Sequence, residues 1–192
     1  TLLRLMAGLA RPTSGRVLLH GEEPTGSGCA RASVGWVSHQ ALLYDHLTAG
    51  ENLSFYARLY QLDKRAQRIR QALAASGLES REDSRVRTFS RGMKQRLALV
   101  RATLHEPSIL LFDEPYTGLD QHAAAALTLD LGAQRQSGRT CVLVTHRPDV
   151  AADLVNQILI LQEGRVCHLG NWSGGTQGQL SELYSQHIRP GT

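Results

Sequence analysis

Ile109-Leu-Leu-Phe-Asp113-Glu114-Pro115 is the stretch on which the reading of this chain turns. Four consecutive apolar residues make a strand buried on both faces, and its end delivers two adjacent carboxylates to the C-terminal edge of a sheet. That edge is where α/β proteins bind ligands. Successive side chains diverge there, so the two acids can do different work. Asp113 is placed to hold Mg²⁺ through water, and Glu114 to polarise an attacking water. An Asp-Glu pair after a strand also occurs in ordinary turns, so the pair alone does not decide its use.

Its neighbours narrow the choice. Glu114 leads into Pro115-Tyr-Thr117-Gly118-Leu119-Asp120, and the next strand closes on Val144-Thr145-His146. In a parallel sheet His146 emerges at the same edge as Asp113 and Glu114. A histidine there can hydrogen-bond a γ-phosphate and the water near it, although a lone strand-end histidine is more often a surface residue. Upstream, Ser90 precedes a helical pattern running from Gly92 to Leu104 and stopped by Pro107. Ser90 and the Gly92 amide open that helix, whose exposed N–H groups and positive dipole end form an anion site. An ordinary serine cap accounts for Ser90 but not for its spacing from the Asp-Glu strand.

Further out, strands and helices alternate. Leu2 to Leu9 recur at helical spacing up to Pro12, Arg16 to His20 reads as a short strand, and Glu22 to Ser33 as a loop. Val34 to Val37 is a strand leading to Gln40. Thr48 caps a helix to Tyr60 with Glu51 three residues on. Asp63 is placed to cap the next helix, which ends near Gly77. After the Asp-Glu strand come a helix from Gln121 to Gln136, a strand from Thr140 to Thr145 and a short helix from Asp149 to Val155. Strands at Gln157 to Leu161 and Arg165 to Leu169 complete the alternation, which predicts a parallel sheet covered on both faces. The segment after Asn171 is polar and Gly-rich, with one weak helix around Leu180 to His187.

With 192 residues, 42% hydrophobic and 20% charged, the chain reads as one soluble globular domain. Its longest apolar runs are strand-sized, so no membrane span is expected. It opens on Thr1, without a basic region and apolar stretch of a signal peptide, and its beginning looks cut off. The three cysteines, Cys29, Cys141 and Cys167, have no metal-like spacing and read as buried, reduced thiols. The net charge of +4 is scattered, with no aromatic stacking series, so nucleic acid is not an expected partner. His20, His39, His46, His105, His122, His168 and His187 show no ligand spacing and read as structural or surface; no metal beyond Mg²⁺ is indicated.

Together these residues resemble the ATPase domain of ABC transporters. On that resemblance Ile109 to Glu114 corresponds to the Walker B motif, Thr117 to Asp120 to the D-loop and His146 to the switch histidine. Phe89-Ser90-Arg91-Gly92-Met93 is similar to the LSGGQ signature. Arg91 stands where the signature has its first glycine and Met93 where it has glutamine; Arg91 either adds a cation near phosphate or points to solvent. Gln40 resembles the Q-loop glutamine, which touches Mg²⁺ and water. The opening Thr1-Leu-Leu-Arg-Leu-Met-Ala-Gly resembles the end of the phosphate loop G-x-x-x-x-G-K-[ST] and the helix after it, with Thr1 as the magnesium-ligating hydroxyl. The lysine and glycines of that loop are not in this chain, nor are the strands and the aromatic residue that in the family stack on adenine. The chain by itself is therefore expected to bind ATP poorly and to be inactive.

The resemblance implies a P-loop NTPase-like α/β fold with a parallel sheet flanked by helices, lacking its N-terminal strands and most of its phosphate loop. It implies one ATPase domain over 1–192: a helical signature subdomain at 41–105, the Walker B and switch-histidine part of the core at 106–170, and a polar tail at 171–192. It implies ATP and Mg²⁺ as cofactors, with Glu114, His146 and Gln40 catalytic. Thr1, Ser90, Arg91, Gly92 and Asp120 are nucleotide-binding, and Thr1, Gln40 and Asp113 serve Mg²⁺. Two such domains pair head to tail, so Ser90 and Gly92 serve the partner's nucleotide. Membrane permease subunits dock around Ala41 to Tyr60, and the protein sits peripherally on the cytoplasmic face of the cell membrane. Segments Ser90 to Leu99, Asp113 to Asp120 and Leu47 to Leu53 are most similar to haem-exporter ATPases of cytochrome c maturation and to ABC-2-type exporters. The alternatives are an ATPase for another exported substrate, a non-transport soluble ABC ATPase, and a non-catalytic interaction protein.

Overall fold

A computed structural model of the chain describes residues 1–25, 28–38 and 40–188; His39 and the last residues of the C-terminal segment lie outside them. Its centre is a three-stranded parallel sheet in the order β1 (Val34–Ser38), β2 (Ile109–Asp113), β3 (Thr140–Val144). The alternation inherent in a strand sends successive β2 side chains to opposite faces, and both faces are apolar. Ile109 and Leu111 pack with Val34, Trp36 and Val142 beneath α1 (Leu2–Met6) and α2 (Gly28–Ala32). Leu110 and Phe112 pack on the other face with Val37, Leu99, Leu127 and Leu131. Phe112 is 1% exposed, and truncating it to alanine is expected to cost about 3–5 kcal/mol, read as a lowered denaturant midpoint.

The second face is covered by α5 (Arg91–Thr103) and α6 (Gln121–Gln136), numbered after α3 (Ala49–Leu59) and α4 (Arg65–Ala75). Where α5 ends, its backbone comes so close to β1 that a Cβ on Gly35 would collide with the Ala102 carbonyl. Helix α5 also faces a second core, where Leu97, Val100 and Leu104 meet Leu53 and Ala57 of α3 and Ile69 and Leu73 of α4. One helix thus belongs to both the sheet and the helical layer, which ties the two together. Helix α3 starts as the sequence predicts, with Thr48 and Glu51 forming a reciprocal capping box.

Several expectations are corrected. Arg16 to His20 is not a strand; Leu19 bridges only Glu22, across a turn in which His20 and Gly21 both have positive φ. The segment from Glu22 to Ser33 holds α2. Asp63 does not cap α4, because Lys64 occupies the N-cap in a left-handed conformation and makes no side-chain cap bond. In place of the predicted helix at 149–155 there is a single 3₁₀ turn, Pro148–Val150, which overlaps it at two residues. The last two strands, β4 (Gln157–Gln162) and β5 (Arg165–Asn171), do not join the parallel sheet but pair with each other, antiparallel. Glu163-Gly164 explains this: both have positive φ, the two-residue turn whose twist matches paired strands. Cys29 and Cys167 are exposed and Cys141 is half-buried, so none is a fully buried thiol. Helix α7 (Gln177–His187) carries its own capping box and seats Leu180 against Ala151, Ala152 and Trp172. No helix among the described residues is long and apolar enough to cross a membrane.

The junction of the two cores holds a polar cluster. Arg101, 7% exposed, donates to the Trp36 carbonyl at 2.6 Å and lies over the Tyr56 ring at 5.2 Å. Beside it His105 stacks on Tyr60 with ring centroids 3.8 Å apart and bonds the Val34 carbonyl through Nε2 at 3.2 Å. Its Nδ1 is buried without a partner among the described residues, so a proton there would meet no acceptor. Burial accordingly lowers the His105 pKa, the Val34 bond opposing it only in part. A lowered folded pKa means that the unfolded chain binds the proton better. The stabilising contribution is complete above the unfolded value of about 6.5 and is lost as pH falls through the folded pKa. Denaturant midpoints are therefore expected to drop between pH 7 and pH 5, and His105→Phe to flatten that drop; an unchanged pH slope in the variant would exclude His105 as its source.

Candidate active site

Strand register builds the site. Ser38, Asp113 and Val144 are direct neighbours across β1, β2 and β3, so the residues after each of them leave the sheet at one edge. Glu114 extends the pairing by one step, its N–H donating to the Val144 carbonyl at 3.0 Å. Its φ is 50°, a left-handed conformation that costs a non-glycine residue on the order of 1 kcal/mol. The bond to Val144 and the adjoining turn hold it there. His146 Nδ1 lies 2.8 Å from Glu114 Oε1, the imidazole 69% exposed and the carboxylate 24%. An Nδ1–H of a neutral or charged imidazole donates to that carboxylate and fixes its orientation.

Asp113 is half-buried, and its carboxylate makes no hydrogen bond or ion pair among the described residues. Its acceptor lone pairs at the ligand edge are therefore available to a hydrated cation, which fits Mg²⁺ held through water. Gln40 shares this edge; its carbonyl accepts from Ser38 Oγ, which turns the chain just past β1, and the residue is exposed. Thr1 stands exposed at the N-cap of α1 and makes no side-chain cap bond. The pattern G-x-x-x-x-G-K-[ST] does not occur in these 192 residues.

The signature-like segment is built as a helix start. Ser90 Oγ accepts from the Met93 N–H at 3.2 Å, and no acidic residue lies in the first turn of α5 to neutralise its positive end. Lys94 pairs with Asp45 at 2.7 Å, tying this turn to the segment after β1. Gly92 abuts α6: a Cβ there would fall 2.9 Å from Ala123 Cβ. Arg91 is exposed and lays its guanidinium over Gly118. Asp120, which the resemblance counts among nucleotide-binding residues, caps α6 by accepting from the Ala123 N–H at 2.8 Å.

The structure therefore brings Glu114 and His146 into direct contact and sets Asp113 and Gln40 at their edge. Of the signature-like residues, Arg91 meets the turn from Glu114 to Asp120 at Gly118, and Gly92 meets α6 at Ala123. Sequence reasoning missed Arg101. The available signal was a single cation inside the inward-facing run Leu97-Ala-Leu-Val-Arg101-Ala, where burial demands partners.

Comparison with known proteins accords with this geometry. Residues 1–117 match the family model described as ABC transporter. A probable sulfate/thiosulfate import ATP-binding protein of Chlorella vulgaris is 34% identical over 174 residues, covering 89% of this chain and 74% of the relative. A spermidine/putrescine import ATP-binding protein of Acidothermus cellulolyticus is 38% identical over 173 residues, 88% of this chain and 45% of the relative. A Nod factor export ATP-binding protein of Neorhizobium galegae is 36% identical over 206 residues, 98% of this chain and 59% of the relative. The chain thus spans about half the length of the latter two. Among solved structures, an ATP-binding subunit of an ABC transporter superposes with a TM-score of 0.81 at 28% identity, covering 96% of this chain and 82% of that one.

Proposed function

From the premise that this chain belongs to the ABC transporter family, as a part of its ATP-binding domain, we propose that it hydrolyses ATP to drive transport through a membrane permease. The observation that carries the reading is the Glu114–His146 pair at 2.8 Å, on the strand edge that also presents Asp113. When bound, Mg²⁺ offsets negative charge on the phosphates. Asp113 would hold the hydrated ion, with Gln40 and Thr1 as further ligands. Glu114 accepts a hydrogen bond from the attacking water, and His146 keeps the carboxylate aimed. Ser90 and the amides at the start of α5 serve the triphosphate of a second copy docked head to tail. The proposed organisation is one ATPase domain, with 41–105 as its helical signature part, 106–170 as core and 171–192 as a C-terminal segment.

An exposed apolar patch supports transport over a free-standing ATPase. Leu42, Tyr44, Phe55 and Leu59 are 44–64% exposed, and Tyr44 and Phe55 meet edge to face at 5.4 Å. Such a patch, a few residues after Gln40 in the chain, suits a helix of a permease, and supports the reading of a protein peripheral to the membrane. The resemblance to haem-exporter ATPases finds no support among the three relatives, two of which carry import names and one an export name. The cargo is therefore left to the permease. Phe55→Ser with Leu42→Ser is expected to abolish co-purification with the membrane permease subunits while the ATPase keeps its basal turnover. Retained co-purification would remove the patch as the docking surface. A protein that co-purifies with no membrane subunit at all would favour the non-transport ATPase.

A further inference from the structure

Four observations meet at the first turn of α5. Gly92 is pressed on Ala123 in the first turn of α6, so closely that no other side chain fits without displacement. One residue earlier, Arg91 covers Gly118, occupying the space that any Cβ at 118 would need. Gly118 itself has φ +70°, a conformation that favours glycine, and the missing side chain leaves a bare peptide surface. Finally, Gly118 lies in a tight run of turns that begins at Glu114: Thr117 N–H donates to the Glu114 carbonyl and Leu119 N–H to the Tyr116 carbonyl, both at 3.2 Å. A planar guanidinium stacks on a flat peptide as a lysine ammonium does not.

The geometry points to Arg91 as a positioning residue: it clamps the turn that carries Glu114 to the start of its own chain's signature helix. This inference rests on the proposed ATPase reading and extends it. In a head-to-tail pair the start of α5 faces the partner's nucleotide, whereas Glu114 acts on the chain's own. A clamp between the two makes each active site sense occupancy of the other, through contacts inside one polypeptide. Arg91 would then raise turnover without touching ATP.

The test uses the protein carrying a complete phosphate loop and assembled with its permease, with Arg91→Gly, Arg91→Lys, Gly118→Ala and the Arg91→Gly/Gly118→Ala double variant, each first checked for an unchanged melting temperature. Arg91→Gly is expected to lower kcat by about 5–10-fold with KM for ATP changed less than about twofold, the pattern of a group acting outside ground-state binding. Arg91→Lys is expected to restore only part of the loss. Gly118→Ala, which evicts the guanidinium, is expected to mimic Arg91→Gly, and the double variant to be no worse than either single one. Should Gly118→Ala not fold, the kcat-against-KM split of Arg91→Gly decides alone. A raised KM with kcat intact would overturn the proposal by placing Arg91 on nucleotide, and unchanged kinetics would overturn it by leaving the contact without consequence. Glu114→Gln in the same preparation separates the clamp from the ATPase reading beneath it. If it retains turnover, the ATPase reading fails; if it abolishes turnover while Arg91→Gly has no effect, only the clamp fails.

Discussion

Glu114→Gln is expected to lower ATP turnover at least about 100-fold, the scale contributed by a positioned general base, while ATP binding persists. The substitution keeps the size of the side chain, and its amide oxygen can still accept the His146 hydrogen bond, so the 2.8 Å contact need not be lost. What disappears is a carboxylate able to polarise water. A site that binds ATP but cannot cleave it accumulates the ATP-bound state, and if ATP holds two copies head to tail, dimers accumulate with it. Single-turnover hydrolysis measures the first effect, and sedimentation with ATP against ADP the second. Turnover within about twofold of the parent would remove Glu114 from the chemistry.

The elements legible in the sequence are those whose local chemistry and burial agree. Ile109 to Phe112 reads as a doubly buried strand because every residue of it is apolar, and α6 as a helix because Asp120 caps it and Ser137 with Gly138 ends it. Convergence of Glu114 and His146 is legible too, since parallel strands must end at a common edge. Other features depend on partners that no local pattern encodes. Arg16 to His20 has the composition of a strand, but a strand needs a ladder, and Leu19 finds only Glu22. The β4–β5 hairpin is hidden because Glu163-Gly164 is a turn signal only if Glu163 accepts a left-handed conformation. Arg91 is ambiguous in sequence for a similar reason: its contact, Gly118, is distant along the chain and offers no side chain to pair with.

His146→Ala is expected to produce the other large loss, for a reason that differs from that of Glu114. The imidazole is mostly exposed, so its removal does little to the fold, and the whole effect falls on the carboxylate it holds. Glu114 is itself a left-handed residue whose carboxylate has no other side-chain partner among the described residues, so without His146 its oxygens sample several orientations. Misplacing a reacting group by about 1 Å can cost on the order of 100-fold, and a fall of about 10–100-fold in kcat is expected here. His146→Gln, which can still donate to Glu114 Oε1, is expected to recover part of it. If His146 acts through Glu114, the Glu114→Gln/His146→Ala double variant turns over no more slowly than Glu114→Gln alone, because the group being positioned is already disabled. Multiplying losses would instead assign His146 an independent contact with the phosphate, and the hydrogen bond between the two side chains would then be a consequence of their shared edge, not the reason both are there.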